Sequence, residues 1–457
     1  MSSGMELELE LRTTETNAKA ATLLPDQNCD NHLISSPPIR TKKQITKEYI
    51  NFIALCWTMF LVGWNDASTG PLLLRIQAAY RVNYLIVSLL FVFACVGFIT
   101  GALLVVPLSD KLGLGKSLLL GSLLPIIGYS LQASAPPFPV YVMAFTINGI
   151  GMAFLVRDLL LLLSHRLDPI QDALPNGFVA ALKNHAHTKM GILHAAYGVG
   201  ALCAPLVATQ FSQLHRHWSF HYLISLGIAI TNAVILGNVF RFKTQDECLT
   251  EIGQPSTATS TTDDSTFSQI IRSKSVHYLA FFTLVYVGVE VTMGGWIVTF
   301  IVKVRHGGPS SGYISSGFFG GLTAGRIVLL WVNKKIGERR VIFVYAALAI
   351  GLELLIWFTP SLIGDAISVS IIGLLLGPMY PIIMNHSGKV LPPWILTGAI
   401  GWLAGFGQAG SSLLPFMTGA VAEKWGIRSL QPLLVVMMVL LMGLWALVPS
   451  HPYRRED

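Results

Sequence analysis

Apolar runs of about twenty residues recur along the chain between short polar stretches, the length a helix needs to cross a bilayer core. They lie near 49–76, 84–107, 117–134, 139–162, 190–210 and 220–240, and again near 277–303, 312–332, 340–358, 362–386, 397–420 and 430–449. The pattern predicts an all-α polytopic membrane protein with twelve transmembrane helices, six plus six. Between the sixth and seventh runs stands FKTQDECLTEIGQPSTATSTTDDSTFSQIIRSK. Its Ser, Thr and Asp content cannot form a packed core, so it reads as a linker. The resulting division is a disordered cytoplasmic tail at 1–47, a first half at 48–242, a cytoplasmic linker at 243–275, a second half at 276–450 and a tail at 451–457.

Composition agrees. Of 457 residues, 53% are hydrophobic and only 12% charged, with a mean hydropathy of +0.59. Soluble domains carry about twice that share of charge, so the surplus apolar surface faces lipid. The formal charge of +7 is then a topology signal, and no nucleic-acid partner is expected. Lys and Arg concentrate in SDKLGLGKS, KNHAHTK and NKKIGERR, at the linker ends (Arg241, Lys243, Arg272, Lys274) and ahead of the first run. Such residues stay cytoplasmic, which places both termini inside, in the plasma membrane or an internal, vacuolar one. The five cysteines are scattered, without disulfide or zinc spacing. No Walker loop is present, which argues against ATP-driven transport. No enzyme activity, cofactor or metal is expected. The stretch HRHWSFH supplies His215, His217 and His221 but no fourth ligand.

The two halves echo each other. SDKLGLGKS, between spans two and three, matches NKKIGERRV, between spans eight and nine. Span one carries an acid followed four residues later by glycine, Asp66 and Gly70, and span seven repeats this with Glu290 and Gly294. Many secondary transporters are built from such tandem halves.

The loop LSDKLGLGKS resembles the signature loop of the major facilitator superfamily, with Asp110, Lys111, Gly113 and Lys116 in its gating positions and Val106 where the opening glycine would stand. GWNDASTGPLL, GFVAALKN, TKMGILHAAYGVGALCAPLVATQF, YVGVEVTMGGWIVTF, GPSSGYISSGFFGGLTAGR and GPMYPIIM together resemble a fungal branch of that superfamily, the "bypass of stop codon"-type membrane proteins. That branch is similar to the fucose permease group of proton-coupled sugar symporters. The resemblance implies two pseudo-symmetric six-helix bundles around a central cavity. It also implies proton-carrying, sugar-contacting acids in spans one and four. These land on Asp66, after Asn65, and on Asp172, four residues before Asn176.

One segment departs from the family. FLVRDLLLLLSHRLDPI, 154–170, separates INGIGMA from QDALPNGF, which the family would join in one span. It reads as a translated retained intron or an error in the gene model, or else as a lineage-specific insertion. Seventeen helical residues would carry Asp172 and Asn176 about 25 Å along the axis, out of the bilayer centre.

Charge at the bilayer centre costs at least about 2.5–3.5 kcal/mol, so it normally turns inward and is functional. Asp66 and Glu290 stand out, either as proton carriers or, for Asp66, as a packing hydrogen-bonder and, for Glu290, as the partner of Arg326. A sugar site needs amides, hydroxyls and aromatic platforms. The candidates are Asn148, His194, Tyr197, Trp296, Tyr380, Trp402 and Gln408, with Asn65 and Asn176. Trp296 and Trp402 are equally readable as lipid-belt aromatics. His194 and Tyr197 share a helical face. Gly317, Gly321 and Gly325, with Gly401 and Gly405, have the spacing that lets helices approach closely.

The reading is a monomeric secondary transporter that works by alternating access in the lipid bilayer. It would couple protons to a sugar or related small polar solute, with Asp66, Glu290 and Asp172 on the proton path. A nutrient-sensing receptor without transport, or an isoform inactivated by 154–170, remain the alternatives.

Overall fold

The structure is a computed structural model and describes residues 41–156, 186–253 and 265–450. The expectations for Asp172 and Asn176, for most of 154–170 and for the tails 1–40 and 451–457 lie outside these residues, as does the side chain of Asp110. All regular elements among the described residues are helical.

The spans are α1 (Lys42–Tyr80), α2 (Tyr84–Val105), α3 (Lys111–Ala133), α4 (Phe138–Leu155), α5 (Gly191–Ser212) and α6 (Trp218–Phe240), then α7 (Lys274–Val304), α8 (Pro309–Val328, bent by 55° onto Leu330–Ile336), α9 (Glu338–Phe358), α10 (Leu362–Val390), α11 (Pro393–Trp425) and α12 (Ile427–Leu447). Ten are long and apolar enough to cross a membrane, and the bent α8 makes eleven. The glycine-rich α11 is less apolar, but its 33 residues are ample to span.

Side-chain chemistry sets the span ends. The Asn83 side chain caps α2 by accepting from the Ile86 N–H at 2.8 Å, and the Ser361 hydroxyl caps α10 by accepting from Gly364 N–H at 3.1 Å. Gly113, at φ 73°, breaks the continuous Leu89–Ala133 stretch into α2 and α3, and Gly337, at φ 90°, stands at the equivalent turn before α9. Only glycine enters that region without steric cost. The echo between the two basic loops therefore has a conformational cause.

The packing repeats with the same period. α1 packs on α5, α2 on α4 and α3 on α6; α7 packs on α11, α8 on α10 and α9 on α12. The stripe Gly317, Gly321 and Gly325 lies against Ser370 and Leu374 of α10, so it holds the second half together internally. The halves meet through α1 with α7, α2 with α11 and α5 with α8. α7 is enclosed, whereas Val234, Leu348 and Val436 stand outward on α6, α9 and α12, where lipid would cover them.

Part of the stretch expected as linker is ordered. Gln245–Glu251 is a helix with a capping box between Thr244 and Glu247, and Cys248, Leu249 and Ile252 are buried beneath it. Glu251 forms ion pairs with Lys47 at the start of α1 and with Lys243. Ser265–Arg272 is a second helix, with Ile270 packed against Gly398 of α11. Overall composition is polar here, but a few apolar residues at helical spacing suffice to dock each piece.

Candidate functional site

Span alternation puts the Gly113 and Gly337 loops on one side of the molecule, the basic-loop side. The inter-half contacts gather on the opposite side. There the Tyr84 N–H donates to the Glu423 carboxylate at 2.9 Å, Gly419 lies over Ser88, Gln213 donates to the Pro309 carbonyl at 3.3 Å, and Gly312 lies over Thr209. Gly70 of α1 packs directly on the backbone of Gly294 of α7. The two acid-to-glycine echoes therefore touch, one helical turn beyond their acids.

On the basic-loop side of that crossing lies a polar cluster. Both oxygens of Asp66 are engaged: Oδ1 accepts from Asn65 Nδ2 at 3.1 Å and Oδ2 from the Tyr197 hydroxyl at 3.0 Å. Asn65 Oδ1 in turn accepts from the Tyr129 hydroxyl at 2.9 Å. Four elements of the first half thus orient one carboxylate's surroundings: α1, α3 and α5 directly, and α6 through Tyr222, whose ring stacks on Tyr129 at 6.5 Å. The Asp66 side chain remains open to water although protein surrounds it, as lining a cavity requires.

The second half supplies a carboxylate and a cation. Glu290 of α7 lies within electrostatic range of Asp66 and Tyr197, and Arg326 of α8 lies within range of Glu290, Tyr197 and His194. Arg326 is steadied by a 3.4 Å hydrogen bond from Nε to the Gly377 carbonyl, at the break in α10. Tyr286, one turn before Glu290, rests against its carboxyl and donates to the Leu376 carbonyl at 3.1 Å. Tyr380 packs on Tyr286, ring centroids 6.3 Å apart.

Of the residues expected from sequence, the structure brings together Asn65, Asp66, His194, Tyr197, Glu290 and, through Tyr286, Tyr380. It does not bring Asn148 to them: that amide is buried between α3 and α4 and donates to Gln132 Oε1 at 3.1 Å. Trp296 is fully buried, its indole N–H donating to the Pro415 carbonyl at 3.0 Å, so no ring face is free to stack a sugar. Trp402 sits lower on α11, against Phe406 and His277 at 5.2 and 6.1 Å. The Gln408 backbone carbonyl accepts from the Cys95 thiol at 3.4 Å across the α2–α11 contact. In the gating loop Lys111 and Lys116 are exposed, and the Gly115 N–H donates to the Lys243 carbonyl at 2.8 Å. His215, His217 and His221 go separate ways, to Arg75, to the Phe220 ring, and to Ser68 and Trp64.

Tyr129 and Tyr286 were not among the residues expected from sequence. Tyr286 was legible in principle, since it lies four residues before Glu290 and hence on the same helical face. Tyr129 carries no such signal.

Comparisons with known proteins agree with this architecture. The family model described as Major Facilitator Superfamily matches residues 55–393. The chain is 25% identical to Bypass of stop codon protein 6 of Saccharomyces cerevisiae, over 89% of this chain and 84% of that one. It is 21% identical to the glucose/mannose transporter GlcP of Bacillus subtilis, over 84% and 91%. Among solved structures, a bacterial homolog of the human lysosomal transporter Spinster superposes with a TM-score of 0.70 at 11% identity, covering 89% of this chain and 97% of that one. The E. coli fucose:proton symporter FucP superposes with a TM-score of 0.57 at 15% identity, covering 90% and 100%. With a family model spanning most of its length and the matching all-helical fold, the chain belongs to the Major Facilitator Superfamily of transporters.

Proposed function

We propose that the chain is a proton-coupled symporter of a sugar or related small polar solute, working by alternating access. The observation that carries this reading is the facing of Asp66 and Glu290, acids at equivalent positions of the two halves, beside the only inter-half glycine-on-glycine crossing described. A carboxyl that faces first one side of the membrane and then the other can take a proton on one side and release it on the other. In this reading Asp66 carries the proton. Asn65, Tyr197 and His194 from the first half, and Tyr380 from the second, contact the solute. Glu290 and Arg326 form the charged wall opposite. Asp172 and Asn176 join the site if the chain beyond Ala153 returns them to the bilayer centre. With the basic loops cytoplasmic, the described state is closed to the outside.

The sugar assignment draws on two relatives, GlcP, named as a glucose/mannose transporter, and FucP, named as a fucose:proton symporter. The cluster supports it through its hydroxyls, amide and carboxylates, the groups that hydrogen-bond a polyol.

The test is reconstitution of the full chain, and of a version lacking 154–170, in proteoliposomes with an internal pH dye and a panel of hexoses and polyols. The expected result is solute-dependent alkalinisation of the proton-rich side by at least one version. Solute binding without any solute-dependent proton or solute flux in either version would overturn the reading.

A further inference from the structure

A second cavity lies far from the Asp66 cluster, on the basic-loop side of the second half. It occupies about 280 Å³ where Gly337 turns the chain into α9, beside the ends of α10 and α12. That is near the lower limit of about 300–1,000 Å³ for small-molecule sites, enough for a polar headgroup and too small for an acyl chain.

Its lining is cationic. Arg339, Arg340 and Lys389 contribute three fixed positive charges, against one carboxylate, Glu338. That carboxylate is already spent on an ion pair with Lys389 and a 3.5 Å contact from Asn385 Nδ2. Arg339 is anchored through its backbone, whose carbonyl accepts from the Trp445 indole at 2.9 Å, yet among the described residues its buried Nη1 has no hydrogen-bond acceptor. A buried guanidinium donor without an acceptor costs free energy, and a small rotation into the cavity would present it to an anion. The 21-residue α9 begins at the cavity wall, which puts the positive end of its dipole there. His386, which also lines the cavity, is held by the Pro449 carbonyl at 2.9 Å and packs on Trp445.

The pseudo-equivalent place in the first half is covered. There Gly113 lies against Thr244, and the Gly115 N–H is taken by Lys243. Among the described residues nothing approaches Gly337 in this way. The cavity also stands at a defined depth, since Glu338 begins α9 and Val390 ends α10. Exposed Trp331, with Lys335 Nζ 4.9 Å above its ring, and exposed Trp394 flank this level. Amphipathic rings and basic residues of this kind mark the headgroup layer.

We infer that this cavity binds the phosphate group of an anionic lipid headgroup from the leaflet on the basic-loop side. Phosphate offers oxygens that accept together from an arginine pair and a helix N-terminus. Basic pockets between spans on that side suit such headgroups.

The test is native mass spectrometry of the purified full chain with phosphatidic acid or phosphatidylinositol, against phosphatidylcholine, with inorganic phosphate as a separate arm. The full chain should retain one anionic lipid in preference to phosphatidylcholine. Arg340→Gln and Lys389→Gln should each weaken retention about fivefold, the effect of roughly one charge near the surface. Lys334→Gln, outside the cavity, should not. Glu338→Gln should strengthen retention, a sign that damage to the fold cannot produce. Retention unchanged by Arg340→Gln and Lys389→Gln would overturn the site. Inorganic phosphate binding with the same variant dependence, and no preference for anionic lipid, would overturn the lipid assignment.

Discussion

Gly70 of α1 lies so close to the carbonyl of Gly294 of α7 that a Cβ on Gly70 would overlap the oxygen. These glycines each follow an acid by four residues. This contact between the halves is thus one turn away from Asp66 and Glu290 in both helices at once, and whatever separates the halves there also changes the water around the acids.

Substituting Gly70 with Leu should force α1 and α7 apart on the side away from the basic loops. Overpacking costs about 1–3 kcal/mol, which shifts a two-state equilibrium about 5- to 150-fold. Cys95 is a native reporter, buried and donating to the Gln408 carbonyl across the α2–α11 contact. Its labelling by an impermeant maleimide should accelerate by at least about fivefold in Gly70→Leu. An unchanged rate would mean that this crossing does not hold the closed side.

Tyr197→Phe removes the donor to Asp66 Oδ2 while keeping the ring. A hydrogen bond to a charged group is worth about 1.5–3 kcal/mol, so proton-driven uptake should fall about ten- to hundredfold. The melting temperature in detergent should hold. Equal loss of both would make Tyr197 a packing residue.

Trp296→Ala should act through stability. A fully buried Trp whose indole N–H is satisfied by Pro415 leaves a cavity worth about 3–5 kcal/mol. Thermal unfolding in detergent should move down sharply, and the apparent affinity for solute in folded protein should not change. A changed affinity at unchanged melting temperature would place Trp296 in the site instead.

The docked Gln245–Glu251 helix should respond to acid. Hydrogen bonds from Lys243, then Lys47, hold the Glu251 carboxyl below the usual carboxylate range. A lowered carboxyl contributes stability that is complete above its ordinary value of 4.5 and is lost as pH falls through the lowered one. Cys248 reports docking, because burial pushes its thiol up to about 11 and shields it. At neutral pH Glu251→Gln should label faster at Cys248 than the parent chain. The ratio of the two rates should approach one as pH drops below the carboxylate range. A ratio of one at neutral pH would show that the ion pairs do not hold the helix.

Much of this was readable in the chain, for identifiable reasons. Spans are long and their period is strong, so helices lie near the expected places among the described residues, ten or eleven of them long and apolar enough to cross a membrane. The glycines of the two basic loops were visible as an echo, and positive φ explains it. The acids were visible because charge in an apolar run is costly. Burial was harder. Trp296 and Trp402 look alike in sequence, and only the packing of α7 against α11 separates them. Tyr129 meets Asn65 because α3 is rotated toward α1, a phase no single helix reveals. The Gln245–Glu251 helix did have a signature, Thr244 three residues before Glu247, hidden by the polarity of its surroundings.

The central claim is that Asp66 couples proton movement to solute movement. The most direct measurement compares Asp66→Asn with the parent chain in proteoliposomes, scoring accumulation driven by a pH gradient and exchange of labelled for unlabelled solute without one. Asp66→Asn should abolish gradient-driven accumulation and retain exchange. Accumulation at the parent level in Asp66→Asn would contradict it.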